Sequence, residues 1–301
     1  MINGVINVYK EKGYTSHDVV AKLRGILKQK KIGHTGTLDP DAEGVLPVCL
    51  GKGTKLCSML TETDKTYKAA LLLGTVTDTQ DISGTIISKV PVTVSRPDVL
   101  YTVHSFSGAY EQIPPMYSAI KVGGRKLYDL AREGKVVPRK PRNVTIEQID
   151  ITDYEEKEDT VIVTLLVKCS KGTYIRTLCH DIGEKLGCGG CMESLVRTKV
   201  GSFDISAAMK LDVIDKLWQI NQLESRIIRI EEMLKDYPKV SVKERYSKLL
   251  YNGNPLKPEH FMPADFQLQN NEKVRVYDGE ELIGIYGYDM LNKRFKVVKM
   301  F

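Results

Sequence analysis

The chain has 301 residues, 42% of them hydrophobic and 27% charged, with a formal charge of +6 at pH 7. That is the make-up of a soluble globular protein with room for one large core or two domains; no window approaches the roughly 18 to 20 apolar residues of a membrane helix, and Met1 to Lys12 lacks a signal-peptide core. A cytoplasmic location is expected, and the six scattered cysteines, Cys49, Cys57, Cys169, Cys179, Cys188 and Cys191, are expected to be reduced thiols.

The N-terminus reads as a strand from Val5 to Tyr9, a turn at Gly13, and a helix capped by Thr15 or Ser16. Its apolar residues Val19, Val20, Leu23, Ile26 and Leu27 recur at helical spacing. The loop "KIGHTGTLDPDAEG", Lys31 to Gly44, precedes a buried strand, Val45 to Leu50, and a short helix, Thr54 to Leu60. Strands follow at Tyr67 to Val76 and Thr85 to Val90, joined by "TDTQDISG", and then a helix at Pro97 to Phe106. "PPMYSAIKVGGRKLYDLAREG" gives an extended piece, a Gly123-Gly124 turn and a helix ending at Gly134. The next stretch, "KVVPRKPRN", has too many prolines and charges to pack, so the insert from Lys121 to Arg142 is expected to project as an arm.

Val144 to Ile151 and Val161 to Cys169 read as paired strands. "GTYIRTLCHDIGEKLG" opens a helix with Leu178, Ile182 and Leu186 on one face, and Leu195 to Val200 is a further strand. Helical segments from Ile214 to Leu234 lead to a change of texture near Val240. There a short helix precedes strands at Lys273 to Tyr277, Leu282 to Tyr288 and Phe295 to Met300, joined by Asp-Gly and Asn-Lys turns. The expected fold is α+β, a mixed, largely antiparallel sheet with flanking helices over residues 1–236 and a small β-rich domain over 237–301.

The charge is unevenly spread. Eight basic residues between Lys121 and Arg142 (Lys121, Arg125, Lys126, Arg132, Lys135, Arg139, Lys140, Arg142) face only Asp129 and Glu133, a local excess equal to that of the whole chain. Lys22, Arg24, Lys28, Lys30 and Lys31 form a second run with no acid, leading into the Lys31–Gly44 loop. Either run alone reads as a solvated face. Two in a balanced chain favour a polyanion, and nucleic acid is the commonest large one.

Several chemistries fail on spacing. "GVLPVCLGKGTK" puts six residues where a phosphate loop has four and Gly53 where magnesium needs Ser or Thr; His34, Asp39, Asp41 and Glu43 follow no metal-ligand pattern; and Cys188-Gly-Gly-Cys191 has no second pair. Asp41 and Glu43 read as solvated turn residues. Asp39 differs, because Pro40 restricts its backbone and Leu38 ties it to the core edge, so it is either a turn residue or an aimed carboxylate nucleophile. Tyr67 in "KTYKA" and Tyr174 in "GTYIRT" are either half-buried strand residues or stacking platforms for a base, with Arg176 available to an anion.

Taken together, "GHTGTLDPDAEGVLPVCLG", "KTYKAALLLGTVTDTQDISG", "PPMYSAIKVGGRKLYDLAREG" and "KGTYIRTLCHDIG" resemble the bacterial tRNA pseudouridine-55 synthases, in that family's order, over about residues 1 to 203. The C-terminal region is similar only in being a small RNA-binding, PUA-like appendage. The resemblance implies an enzyme, a pseudouridine synthase that isomerises one T-loop uridine of tRNA without metal or cofactor, after flipping the base from its stack. It makes Asp39 the essential aspartate, Tyr67 the tyrosine that stacks on the base, and Arg176 the arginine paired with Asp39, with Asp81 as its second carboxylate partner.

It also makes His34 the residue that fills the vacated stack and Tyr174 and Leu195 pocket residues. Lys121, Arg125, Lys126 and Arg132 fall in the segment that grips the tRNA arm. Lys10 matches an RNA-site lysine, although "KEKG" here lacks the family's Lys-Pro pair. The expected partner is the tRNA T-arm, with no membrane and no obligate protein partner, the chain acting as a monomer. A second reading is an RNA-binding or RNA-folding module in which catalysis is secondary. A third is a guide-RNA-dependent relative working in a complex; the intact set Asp39, Tyr67 and Arg176 and the basic insert favour the first.

Overall fold

The computed structural model describes residues 1–262 and 269–301; six residues of the expected C-terminal domain, 263–268, lie outside the described residues. Strand β1 (Gly4–Lys10) leads to helix α1 (Ser16–Leu27). Thr15 caps α1, its hydroxyl accepting from the Asp18 amide while the Asp18 carboxylate accepts from the Thr15 amide, and the helix ends where Lys28 turns left-handed at φ 50°. Val19, Val20, Leu23 and Leu27 form its buried stripe.

The chain continues through β2 (Ile32–His34), β3 (Glu43–Leu50), α2 (Cys57–Thr61) and β4 (Lys65–Leu73). A hairpin of β5 (Thr75–Thr77) and β6 (Ile86–Lys89), helix α3 (Arg96–His104) and the edge strand β7 (Gly108–Gln112) follow. The basic insert holds a second hairpin, β8 (Lys121–Val122) with β9 (Arg125–Lys126), and α4 (Leu127–Arg132). Then come β10 (Arg142–Glu156), β11 (Val161–Cys169), α5 (Ile175–Leu186), β12 (Gly190–Val200) and β13 (Phe203–Asp204).

These strands form one sheet in the order β1-β3-β12-β4-β11-β10-β7, with β2 on β3 and β13 on β12. Every pairing along this order is antiparallel except β3 with β12, which run parallel through only two residue pairs, Val196 with Glu43 and Arg197 with Gly44. Further along, β3 pairs with β2 through Val48 to Leu50. The sheet is thus seamed at β3–β12, and the loop from Thr35 to Ala42 lies at the opening of the seam. Gly44 is required there: its φ is +105°, and a Cβ would sit 2.2 Å from the Arg197 carbonyl oxygen.

Each half has its own core. On one side Leu71, Val163, Leu165, Leu178 and Ile182 pack β4 and β11 against α5; on the other, Ile6, Val8, Leu46, Val48 and Leu23 pack β1 and β3 against α1. Leu38 and Ala42 of the seam loop join the first core, although the loop belongs to the second half.

The C-terminal residues build a five-stranded sheet, β15-β14-β16-β17-β18, from β14 (Lys239–Val242), β15 (Phe261–Met262), β16 (Lys273–Asp278), β17 (Glu281–Asp289) and β18 (Arg294–Met300). It has its own core around Phe261, Val276, Tyr286 and Phe295, yet Tyr277, Leu282 and Ile285 pack with Val5, Cys49 and Leu56 of the main body. The sequence reading missed β14 and β7; "GAYEQ" has one large apolar residue and forms an exposed edge, where pairing rather than composition makes the strand. The expected Thr54–Leu60 helix is a 3₁₀ turn, Gly51–Leu56, running into α2.

Candidate active site

A cavity of about 1280 Å³ opens at the seam, and five parts of the chain bring the expected residues to it: Asp39 from the loop, Tyr67 from β4, Asp81 from the turn before β6, Tyr174 and Arg176 from the start of α5, and Leu195 from β12. The aspartate is held from every side but the cavity. The Leu38 amide donates to Ser16 Oγ at 2.9 Å, the Gly13 amide to the Pro40 carbonyl at 2.9 Å, and the Ala42 amide to the Asp39 carbonyl at 3.1 Å. Leu38 and Ala42 are buried on either side of Asp39, whose side chain stays about half exposed. A restricted backbone with a carboxylate open to the cavity is the arrangement of an aimed nucleophile.

Arg176 is the hub of the charges. Its Nη2 lies 3.2 Å from Asp39 Oδ2 and donates to the Tyr117 carbonyl at 2.9 Å; its Nη1 lies 3.3 Å from Asp81 Oδ2. The guanidinium is buried, so two carboxylates and the carbonyls of Tyr117 and Thr79 replace its lost water. Asp81 is fixed in turn, its Oδ1 accepting from Thr79 Oγ1 at 2.8 Å, the Ser83 amide at 3.1 Å and Ser83 Oγ. Arg176 comes one residue after the first of α5, and the residue before the helix, Tyr174, is clamped through its backbone: Gln112 Nε2 donates to its carbonyl at 2.9 Å, and its amide donates to Gln112 Oε1 at 2.8 Å.

Tyr67 lines the cavity in partial burial, paired across β4 with Val167 on one side and Arg197 on the other. Burial pushes its phenol up, and the positive charge of the neighbouring Arg197 guanidinium partly offsets that rise.

The profile of the TruB family pseudouridylate synthase (N terminal domain) matches residues 24–175, and that of the tRNA pseudouridylate synthase B C-terminal domain matches 176–237. Similar relatives named tRNA pseudouridine synthase B occur in Lachnoclostridium phytofermentans, 54% identical with all of both chains covered, and in Clostridium kluyveri, 43% identical with all of both covered. The chain belongs to the TruB family. Among solved structures, a Cbf5-Nop10-Gar1 complex matches with a TM-score of 0.73 at 27% identity, covering 99% of this chain and 84% of the other. An H/ACA RNP bound to a substrate RNA containing 2'-deoxyuridine matches at 0.72 and 25%, with the same coverage. The boundary between the two TruB profiles falls between Ile175 and Arg176, inside α5 and at the cavity, so it divides sequence and not structure.

Set against the TruB-family expectations, the structure brings Asp39, Tyr67, Asp81, Tyr174, Arg176 and Leu195 to one cavity and leaves His34 outside its wall. His34 ends β2 half-buried, its ring edge-to-face with exposed His17 at 5.3 Å; burial and the neighbouring histidine lower its pKa. In the basic insert, Tyr128 and Arg132 line the cavity, with Lys126 Nζ 5.1 Å and Arg132 Cζ 5.3 Å from the Tyr128 ring centre. Lys121 is exposed, while Arg125 is ion-paired with Glu133. The insert is less of a free arm than its composition suggests, because Leu127 and Leu130 are buried.

Lys10 requires a correction. It is fully buried, and its ammonium donates to the carbonyls of Ala42 at 2.6 Å, Pro40 at 3.1 Å and Glu11 at 3.2 Å. No surface remains for RNA, so it holds the Asp39 loop instead. Glu43, read as a solvated turn residue, is half-buried, and its charge opposes the lowering of the Lys10 pKa. The reading also missed Gln112 and Arg197. Arg197 had a signal in the sequence: it stands two residues after Leu195 on a strand, hence on the same face.

All six cysteines are free thiols. Among the described residues no group of three or more His, Cys, Asp or Glu side chains is placed to hold a metal, and no helix is long and apolar enough to cross a membrane.

Proposed function

We propose that this chain converts the T-loop uridine at position 55 of tRNA to pseudouridine, working as a single chain in the cytoplasm. The observation that carries the reading is the ion-paired carboxylate of Asp39 at a large cavity, held against Arg176 with Tyr67 also in the wall. The relatives' shared name, tRNA pseudouridine synthase B, supports tRNA as the substrate.

The flipped uracil stacks on Tyr67 and is enclosed by Leu195 and Tyr174. Arg176 pairs with Asp39 and aims its carboxylate as the nucleophile in a site that RNA has emptied of water. The bond between ribose and base nitrogen breaks, the base turns, and carbon 5 bonds to the ribose; the carbon 5 proton leaves and the freed nitrogen gains one, so no atom is gained or lost. Tyr67 is the group beside the base that takes the carbon 5 proton as its phenolate, a form that the charge of Arg197 favours against the effect of burial. His34, outside the cavity wall, fills the gap the base leaves in its stack. Lys121, Arg125, Lys126 and Arg132 grip the T-arm, and the C-terminal sheet acts as a PUA-like RNA-binding unit over about 237–301.

A purely binding or RNA-folding role leaves two carboxylates at an RNA cavity without a purpose, since each repels phosphate. The test is Asp39→Asn on an unmodified tRNA transcript. Pseudouridine formation should fall by at least about a thousandfold while tRNA affinity changes by less than about threefold. Substantial turnover by that variant sinks the role of Asp39, and product outside the T-loop sinks the choice of site.

A further inference from the structure

Arg176 holds two carboxylates, whereas the second buried guanidinium of the cavity, Arg197, directs its donors to backbone. Nε donates to the Val45 carbonyl at 2.8 Å, Nη1 to Thr37 at 3.4 Å and Nη2 to Gly36 at 3.4 Å. These acceptors flank Asp39 along the chain: two precede it in the loop and one begins the buried part of β3. The same residue lines the cavity wall together with Tyr67. Arg197 is also the cross-strand partner of Tyr67 on one side and of Gly44 on the other, so it belongs to the two-pair seam that joins the halves of the sheet.

We infer that Arg197 is a positioning residue that fixes the Asp39 loop against the Tyr67 ring, so that carboxylate and phenol keep one separation across the seam. The inference rests on the roles proposed above for those two residues. Other tethers do half of this work: Lys10 and Ser16 hold the loop but lie on elements that do not pair with β4, and Val167 pairs with Tyr67 but is not bonded to the loop. A guanidinium suits the task because its three nitrogens form a planar fork that reaches acceptors set apart along the chain, whereas the donors of lysine radiate from one atom. Buried to 1% exposure, it faces little competition from water for those acceptors. Without it, the loop and the ring are free to drift independently, and an error of about 1 Å in a reacting geometry costs on the order of 100-fold in rate.

The experiment compares full-length Arg197→Met, Arg197→Lys and Arg197→Ala with the unaltered chain on an unmodified tRNA transcript, with Asp39→Asn as control. Arg197→Met should lose about 100-fold in single-turnover rate while its tRNA dissociation constant stays within about threefold. Amide exchange should quicken in peptides covering residues 36–44 and 65–73 and stay unchanged in the C-terminal sheet. Guanidinium ion, but not ammonium, should restore part of the Arg197→Ala rate.

A rate within about threefold of the unaltered chain, affinity falling in step with rate, or faster exchange along the whole chain overturns the inference. If Arg197→Met does not fold, Arg197→Lys decides: a soluble variant at full rate overturns it, and a soluble but slow one supports it. Product formed by Asp39→Asn would overturn the underlying reading instead, and the exchange data on Arg197 would still report whether loop and ring are held together.

Discussion

Replacing Lys10 by methionine separates folding from chemistry. Burial pushes the Lys10 ammonium from 10.5 down to about 8, against the opposing pull of Glu43, Asp39 and Asp41. Keeping it charged near pH 7 therefore costs the folded state about 3 kcal/mol relative to the unfolded chain. Methionine removes that cost and keeps most of the volume, but it orphans the buried Ala42 carbonyl, takes the Lys10 bond from the Glu11 carbonyl nearer water, and leaves the Pro40 carbonyl with the Gly13 amide alone, a loss of about 2–4 kcal/mol. The two terms nearly cancel. Lys10→Met should melt within about 4 °C of the unaltered chain, yet form pseudouridine about 100-fold more slowly, because the Asp39 loop has lost its largest tether.

Calorimetry and single-turnover assays on a tRNA transcript measure both. A drop of more than about 10 °C in Tm would make Lys10 a general fold residue, and an unchanged rate would remove it from the site; either refutes the reasoning. The pH dependence has a definite sign. The folded pKa lies below the unfolded one, so between about pH 8 and 10.5 the unfolded chain binds more protons, and stability contributed by this group rises with pH across that window. The rise should be missing from Lys10→Met when urea midpoints of the two proteins are compared over that range.

Three further substitutions probe other parts of the site. Gly44→Ala would place a Cβ 2.2 Å from the Arg197 carbonyl oxygen at φ +105°, and should lower Tm by more than about 10 °C or abolish soluble protein. Gln112→Leu strips both hydrogen bonds from the Tyr174 backbone, at a cost of about 2–4 kcal/mol seen in denaturant unfolding, and should slow catalysis by misplacing the start of α5. Arg132→Ala, at the exposed rim beside Tyr128, should raise KM for tRNA with kcat unchanged and reduce the salt dependence of binding by about one counterion.

Much of the fold was legible because burial leaves a period in the sequence. The α1 stripe with its Thr15 cap, and the Val161–Cys169 strand, follow from apolar spacing and capping chemistry alone. β7 and the first half of β12 were not legible, since "GAYEQ" and "GCMES" are strands by virtue of their partners. At the site, Asp39 stood out through Leu38 and Pro40. Lys10 was misread because a lysine near RNA motifs suggests phosphate, and only the three carbonyls that close around it reveal otherwise. Gln112 acts on backbone atoms 62 positions away, a relation that no local pattern carries.

The parallel seam also has a mechanical meaning. Main-chain hydrogen bonds stitch every other pair of neighbouring strands along the sheet order over at least five residue pairs, but β3 and β12 share two. A load that bends the sheet concentrates at its weakest joint, as in a plate scored along one line. The two rigid cores on either side then behave as jaws, Asp39 mounted at the score and Tyr67 and Arg176 on the larger jaw. A load on the sheet would therefore reach the gap between Asp39 and Tyr67 first, and Arg197, which pairs across the score and holds the Asp39 loop, is the brace that keeps that gap from opening.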